Sequence, residues 1–174
     1  MEFDKEIYKQ EFERLLQEGS IKKSQETFKI KLFLKKGENS LLIAKFHKDI
    51  KQSQDLPDKI YWNYWAITIA YYSMLYATKA VILTKGYETK DHYSAQIALG
   101  YLLVPDKVEK EDLELLNQAH KIFEDEYINY FEDARKEAHT ARYSAIKTYT
   151  EKRLKEIYEN AQNFVAKISL IIQE

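Results

Sequence analysis

The feature that most constrains this chain is the stretch 60–78, which contains no charged residue. Within and just beyond it, small side chains recur at steps of four, three, four and three; these are Ala66, Ala70, Ser73, Ala77 and Ala80. Such steps place them on one face of an α-helix, where small residues allow a second helix to approach closely. A helix that is apolar on nearly every side is buried in a bundle or spans a membrane. We therefore predict a helix over about 60–85 as the centre of the fold.

The membrane alternative is weaker than the bundle. The uncharged run reaches the roughly 20 residues that a bilayer-spanning helix needs. It also holds Asn63, Thr68, Ser73 and five tyrosines, and no other segment looks membrane-bound. We therefore expect a buried bundle helix and no membrane association.

Composition excludes several classes of protein. With 174 residues, the chain suits one compact domain. Four Gly and two Pro argue against a turn-rich all-β fold, and the absence of Cys excludes disulfides, thiolate nucleophiles and zinc fingers. No Gly-rich phosphate loop or H-E-x-x-H motif can be written, so we expect no cofactor and no metal. The first 20 residues are charged throughout, which is unlike a secretory signal and favours a cytoplasmic protein.

Hydrophobic periodicity predicts further helices on both sides of the central one. They cover about 5–17, 27–53, 92–103, up to 30 residues from 107, and 148–172. Asp91 is the predicted N-cap of the fourth helix, whereas Gly37 inside the second costs about 1 kcal/mol relative to Ala. Long helices with short links predict an all-α, up-and-down antiparallel bundle of about five to six helices. We assign 1–26 to an N-terminal helical extension and 27–174 to the bundle domain.

Charge is distributed unevenly along the second half of the chain. The segment Arg135–Lys155 carries seven bases and two acids, and Glu109–Asp133 carries nine acids and two lysines. One interpretation is solvated helix faces. The other is a basic groove for a phosphate-bearing partner beside an acidic flank.

Several segments resemble one known family in order and spacing. Residues 65–80 (WAITIAYYSMLYATKA) resemble the tyrosine-pair helix of HEPN domains (higher eukaryotes and prokaryotes nucleotide-binding), and 85–92 (KGYETKDH) resemble the link after it. Ala141-Arg142-Tyr143 and the Ala- and Phe-containing last helix resemble the family's C-terminal end. The resemblance covers about 29–172 and implies an all-α bundle that is usually a homodimer. The excess of aromatic and small apolar positions on several helices independently favours a homodimer.

The resemblance also implies a choice of functions. Many HEPN proteins are metal-independent ribonucleases whose signature is an Arg, four to six residues and a His at a cleft between protomers. Many are encoded with a nucleotidyltransferase partner as a toxin–antitoxin pair, and others are noncatalytic binding domains. Here Arg135 and His139 have only three residues between them, so the usual spacing is absent. We therefore expect noncatalytic binding of nucleotide, RNA or a nucleotidyltransferase partner. The alternative is a variant ribonuclease with Arg135 and His139 as its catalytic pair.

Four more residues are predicted to bind a ligand or RNA: Arg142, Tyr143, His92 and Lys147. Arg binds phosphate oxygens in pairs through its planar fork, and a Tyr hydroxyl beside a basic segment can reach the same phosphate. The alternative is that these residues have only structural roles. Arg135, His139 and Arg142 could be surface helix residues paired with nearby acids, and His92 could cap or pack at a helix start.

Overall fold

The computed structural model describes residues 4–53, 59–104, 106, 108–118 and 151–173. Its elements are α1 (Lys5–Gln17), β1 (Ile21–Lys23), α2 (Phe28–Ser53), α3 (Lys59–Thr84), β2 (Tyr87–Thr89), α4 (His92–Leu103), α5 (helical over 110–118) and α6 (Glu151–Gln173). The predicted all-α bundle is confirmed. The predicted continuation of α5 and the start of the last helix at Thr148 lie outside the described residues.

The core is built around α3, as its sequence predicts. Its five small residues Ala66, Ala70, Ser73, Ala77 and Ala80 are fully buried. A Cβ placed on Gly37 of α2 would lie 2.9 Å from the Ser73 carbonyl oxygen and 3.4 Å from the Ala77 nitrogen. The backbones of α2 and α3 are therefore in direct contact at Gly37. The sequence suggested only a cost in helix propensity at Gly37, but this close approach requires Gly.

One side of α3 is less buried than its composition suggests. Leu83 is buried, whereas Trp65 is 54% exposed and Ile69, Tyr72 and Tyr76 are half-buried. Among the described residues, Asn63–Thr84 is the one helical stretch long and apolar enough to cross a membrane, and 78% of its most apolar window is buried inside the fold. That burial is what a core helix of a bundle shows.

Two short strands, which the sequence did not predict, join the N-terminal segment to the link before α4. β1 and β2 pair antiparallel with Ile21 opposite Thr89 and Lys23 opposite Tyr87. Ile21 is fully buried. Gly86, at φ 80°, makes the turn into β2 in a conformation that favours glycine. Three-residue strands are too short to show an alternating pattern in the sequence.

The helix α1 packs against α4 and contributes to the common core. Asp4 caps it by accepting hydrogen bonds from the Glu6 and Ile7 backbone N–H groups, and Phe12 and Leu15 are buried. At Gly100 of α4, an added Cβ would lie 2.3 Å from the Tyr8 ring. Residues 5–23 thus pack on the helices assigned to the bundle, while the division at residue 26 stays a prediction.

The last described helix, α6, closes the bundle over α2 and α3. Apolar residues at helical spacing form its buried face, namely Leu154, Ile157, Ala161, Phe164 and Ile168. Lys167 of α6 also donates to Asp112 of α5 at 2.6 Å and lies 3.2 Å from Glu109. This contact fixes the start of the acidic segment beside α6.

Candidate ligand-binding surface

Most of the predicted site residues fall in the second half of the chain. Arg135, His139, Arg142, Tyr143 and Lys147 lie outside the described residues. Their roles therefore stay predictions. His92 is the one predicted site residue that lies within the described part of the chain.

His92 is the first residue of α4 and is held by its neighbours. The preceding Asp91 caps α4 in a reciprocal capping box with Ser94, whose N–H donates to the Asp91 carboxylate at 2.8 Å. Burial alone would raise the pKa of Asp91, but the hydrogen bonds from Ser94 lower it. Asp91 therefore remains an anionic cap, which fixes the position of His92 on the first turn of α4.

The imidazole of His92 packs on the tyrosine pair of α3. Its ring stacks on Tyr71 at 5.4 Å between centroids and 15° between planes, and its Nδ1 is hydrogen-bonded to the Tyr71 hydroxyl. Tyr71 is only 1% exposed, so this hydroxyl anchors the imidazole from inside the core. His92 itself is half-buried. It packs at the helix start, and its contact with a ligand remains a prediction.

From His92, a continuous line of half-buried rings crosses α3 to α2. We call it the aromatic row, and its members are Phe33, Tyr76, Tyr72 and His92. The centroids of His92 and Tyr72 lie 5.9 Å apart, those of Tyr72 and Tyr76 6.2 Å, and those of Tyr76 and Phe33 6.2 Å. The row therefore presents parts of four rings on one side of the bundle.

A lysine lies at the α2 end of the aromatic row. The Lys36 ammonium is 5.7 Å from the Phe33 centroid and 5.6 Å from the Tyr76 centroid, within cation–π distance of both. Lys36 is exposed, so its charge is available to solvent and to an anion. Planar rings beside a cation can stack a flat group and neutralise a phosphate attached to it.

Tyr72 and Lys79 carry polar groups of α3 on this side of the bundle. Burial raises the pKa of Tyr72, with the neighbouring tyrosines adding to the shift, so its hydroxyl stays protonated at neutral pH. One helical turn beyond Tyr76, burial lowers the pKa of Lys79 although Asp91 and Glu88 oppose the shift. The Lys79 ammonium donates to the Lys90 carbonyl at 3.3 Å. Tyr72 and Lys79 therefore carry hydrogen-bond donors on the α3 part of this surface.

Sequence reasoning found only part of this surface. Tyr72 and Tyr76 lie four residues apart on the helix that the sequence predicts over about 60–85, and His92 was a candidate ligand-binding residue. Phe33 and Lys36 were missed. Their spacing of three puts them on one face of α2, but nothing in the sequence says that this face meets Tyr76.

The described part of the chain offers little support for a pocket-type ligand site or a metal site elsewhere. An open depression of about 480 Å³ between α2 and α6 is lined by groups such as Glu38, Gln162 and Asn163. It contains neither a ring to stack on nor a basic group among its lining residues. No cluster of three His, Asp or Glu that could hold a metal occurs among the described residues.

Comparison with known proteins agrees with the fold. A family model described as HEPN domain matches residues 40–171, well over half of the chain. The match includes α3, the link to α4 and α6, which are the segments on which the resemblance was based. Phe33 and Lys36 precede it. A comparison with curated proteins finds no match.

Proposed function

Because the chain belongs to the HEPN family, we propose that it is a noncatalytic domain that binds single-stranded RNA or a nucleotide through the aromatic row and Lys36. The observation that carries this proposal is the continuous line of four rings ending under a lysine ammonium. Each base has a flat face that stacks on an aromatic ring, worth about 1–3 kcal/mol per base. Lys36 supplies the positive charge for the attached phosphate.

The basic segment extends the proposed surface beyond the row. Arg135, Arg142, Tyr143 and Lys147 are proposed as further phosphate contacts, because seven bases and two acids fall within Arg135–Lys155. We propose that the protein acts in the cytoplasm as a homodimer. A nucleotidyltransferase is proposed as an alternative partner of the same dimer, because such pairing is frequent in the family.

Measurements of RNA affinity on variants test whether the aromatic row binds RNA. We expect Tyr76→Ala to weaken binding of a fluorescent single-stranded RNA by about 5–150-fold, the equivalent of one lost stack of 1–3 kcal/mol. Lys36→Ala should weaken binding less and make the affinity less dependent on salt, because one phosphate contact is lost. Fluorescence anisotropy at low and moderate salt measures both effects.

Matched controls separate the row from general surface effects. Tyr93 is an exposed tyrosine of α4 whose hydroxyl donates to Glu11 at 3.0 Å, outside the row. Lys155 is an exposed lysine on α6. Tyr93→Ala and Lys155→Ala should bind like wild type. If Tyr76→Ala binds as tightly as Tyr93→Ala, the row is not the RNA-binding surface.

The alternative ribonuclease function depends on Arg135 and His139. Their spacing of three residues is shorter than the family signature, so we expect no cleavage of RNA by the wild-type protein in EDTA. The double variant Arg135→Ala/Arg142→Ala should nevertheless bind RNA more weakly. Gel analysis of labelled RNA checks cleavage, and anisotropy checks binding. Metal-independent cleavage that disappears in His139→Ala would establish a ribonuclease instead, because a neutral His can accept the ribose 2′-OH proton while Arg stabilises the phosphate.

A further inference from the structure

The helix α2 has a second apolar face, directed away from α3. Five large apolar side chains on it are between 47% and 66% exposed: Phe28, Leu32, Leu42, Ile43 and Phe46. At about 100° per residue they fall within an arc of about 120°, opposite the buried Gly37 and Ala44. We call this set the outer face of α2. Phe28 and Leu32 lie at one end of this face and Leu42, Ile43 and Phe46 at the other, with the exposed Lys35 and Asn39 between them. Exposed apolar clusters rimmed by polar residues mark a contact surface.

The order of residues on the outer face is symmetric about residue 37. Phe28 and Phe46 lie nine residues on either side of it, and Leu32 and Leu42 lie five residues on either side. Two copies of α2 lying antiparallel, with a twofold axis at residue 37, therefore place Phe28 level with the partner's Phe46. They also place Leu32 level with the partner's Leu42. Self-complementarity of this kind is what a twofold interface requires.

The charges on the outer face fit the same arrangement. Lys35 and Glu38 are both exposed and lie on the same side of the midline of the face, Lys35 within its arc and Glu38 just beyond it. In the antiparallel pairing Lys35 comes within one residue, about 1.5 Å in height, of the partner's Glu38, and the contact occurs twice. A parallel pairing would instead bring Lys35 level with the partner's Lys35 and would lose this Lys–Glu contact.

We propose that a second copy of this chain packs antiparallel on the outer face of α2. The face extends from residue 28 to 46, a length of about 27 Å at 1.5 Å per residue. Its residues are distinct from the aromatic row, so the interface does not depend on RNA binding.

The proposed symmetry also relates the two aromatic rows. Lys36 lies on one edge of the outer face, and a twofold axis perpendicular to both helices keeps that edge on the same side in both copies. The two lysines, each with its row, then lie on one side of the dimer. A single strand could contact both rows.

The mass of the protein in solution tests whether the outer face of α2 forms a dimer interface. By sedimentation equilibrium the wild-type protein should have twice the chain mass of 20.7 kDa. Phe46→Glu, at a position 61% exposed, should fold normally by circular dichroism and sediment as a monomer. The matched control is Leu170→Glu on α6, 65% exposed, which should remain dimeric. A monomeric wild type, or a Phe46→Glu variant that stays dimeric, would overturn the proposal.

Disulfide cross-linking tests the direction of pairing. The chain has no cysteine, so introduced thiols are the only ones present. A mixture of Leu32→Cys protein and Leu42→Cys protein should form a mixed disulfide on oxidation. Neither variant should cross-link to itself, because ten residues separate the two positions. Self-cross-linking without the mixed product would indicate a parallel pair and contradict the proposed arrangement.

Discussion

Deletion of residues 1–26 is expected to lower the free energy of unfolding by at least about 3 kcal/mol. The segment supplies Phe12, Leu15 and Ile21, all at most 4% exposed. Burial of such side chains contributes about 1.5–3 kcal/mol each, of which the entropy of ordering the segment offsets a part. A domain of this size has only about 5–15 kcal/mol in total, so the deletion is severe. Urea denaturation followed by circular dichroism measures the loss.

A point variant keeps this test informative if the truncated chain does not fold. Ile21→Ala should cost about 2–5 kcal/mol, because it leaves a cavity where the strand pair meets the core. Lys9→Ala, at an exposed position of α1, is the control and should change stability by no more than about 0.5 kcal/mol. If the truncated protein is as stable as the full chain, residues 1–26 are a separable extension.

Ala70→Leu is expected to destabilise the protein by about 1–3 kcal/mol. Ala70 is fully buried on the small-residue face of α3, one turn before Ser73, where the Gly37 backbone approaches. A larger side chain must push α2 away or move into a strained rotamer. The midpoint of thermal unfolding should therefore fall by several degrees.

The control for Ala70→Leu makes the same chemical change at an exposed site. Ala166 is an exposed residue of α6, and Ala166→Leu should leave the midpoint almost unchanged. Equal midpoints for the two variants would mean that the small-residue face of α3 does not limit the approach of α2.

The sequence predicted the parts of this fold that depend on local signals. The bounds of α1 and α4 agree with periodicity, and the Asp91 cap agrees with a preference that operates within one turn. The exposure of Trp65 was not predictable, because composition shows that α3 is apolar but not which side its neighbours leave open. β1 and β2 were missed because each is only three residues long.

The candidate site was likewise predictable only where it depends on spacing within one helix. Tyr72 and Tyr76 lie one turn apart on a helix that the sequence predicted, and His92 was predicted as a ligand-binding residue. The contacts of Tyr76 with Phe33 and Lys36 join residues about 40 positions apart, and such contacts depend on how helices pack. Periodicity within a single helix contains no information about the partner helix.

The strand pair also has consequences for the order in which the protein folds. Ile21 and Thr89 are 68 positions apart, and the helices α2 and α3 lie between them. The entropy cost of closing a loop grows with its length, but a loop already folded into a helical hairpin has its ends close together. The β1–β2 hydrogen bonds are therefore expected to form after α2 and α3 have packed, and α1 to dock with them. The N-terminal segment would then contribute more to slowing unfolding than to speeding folding.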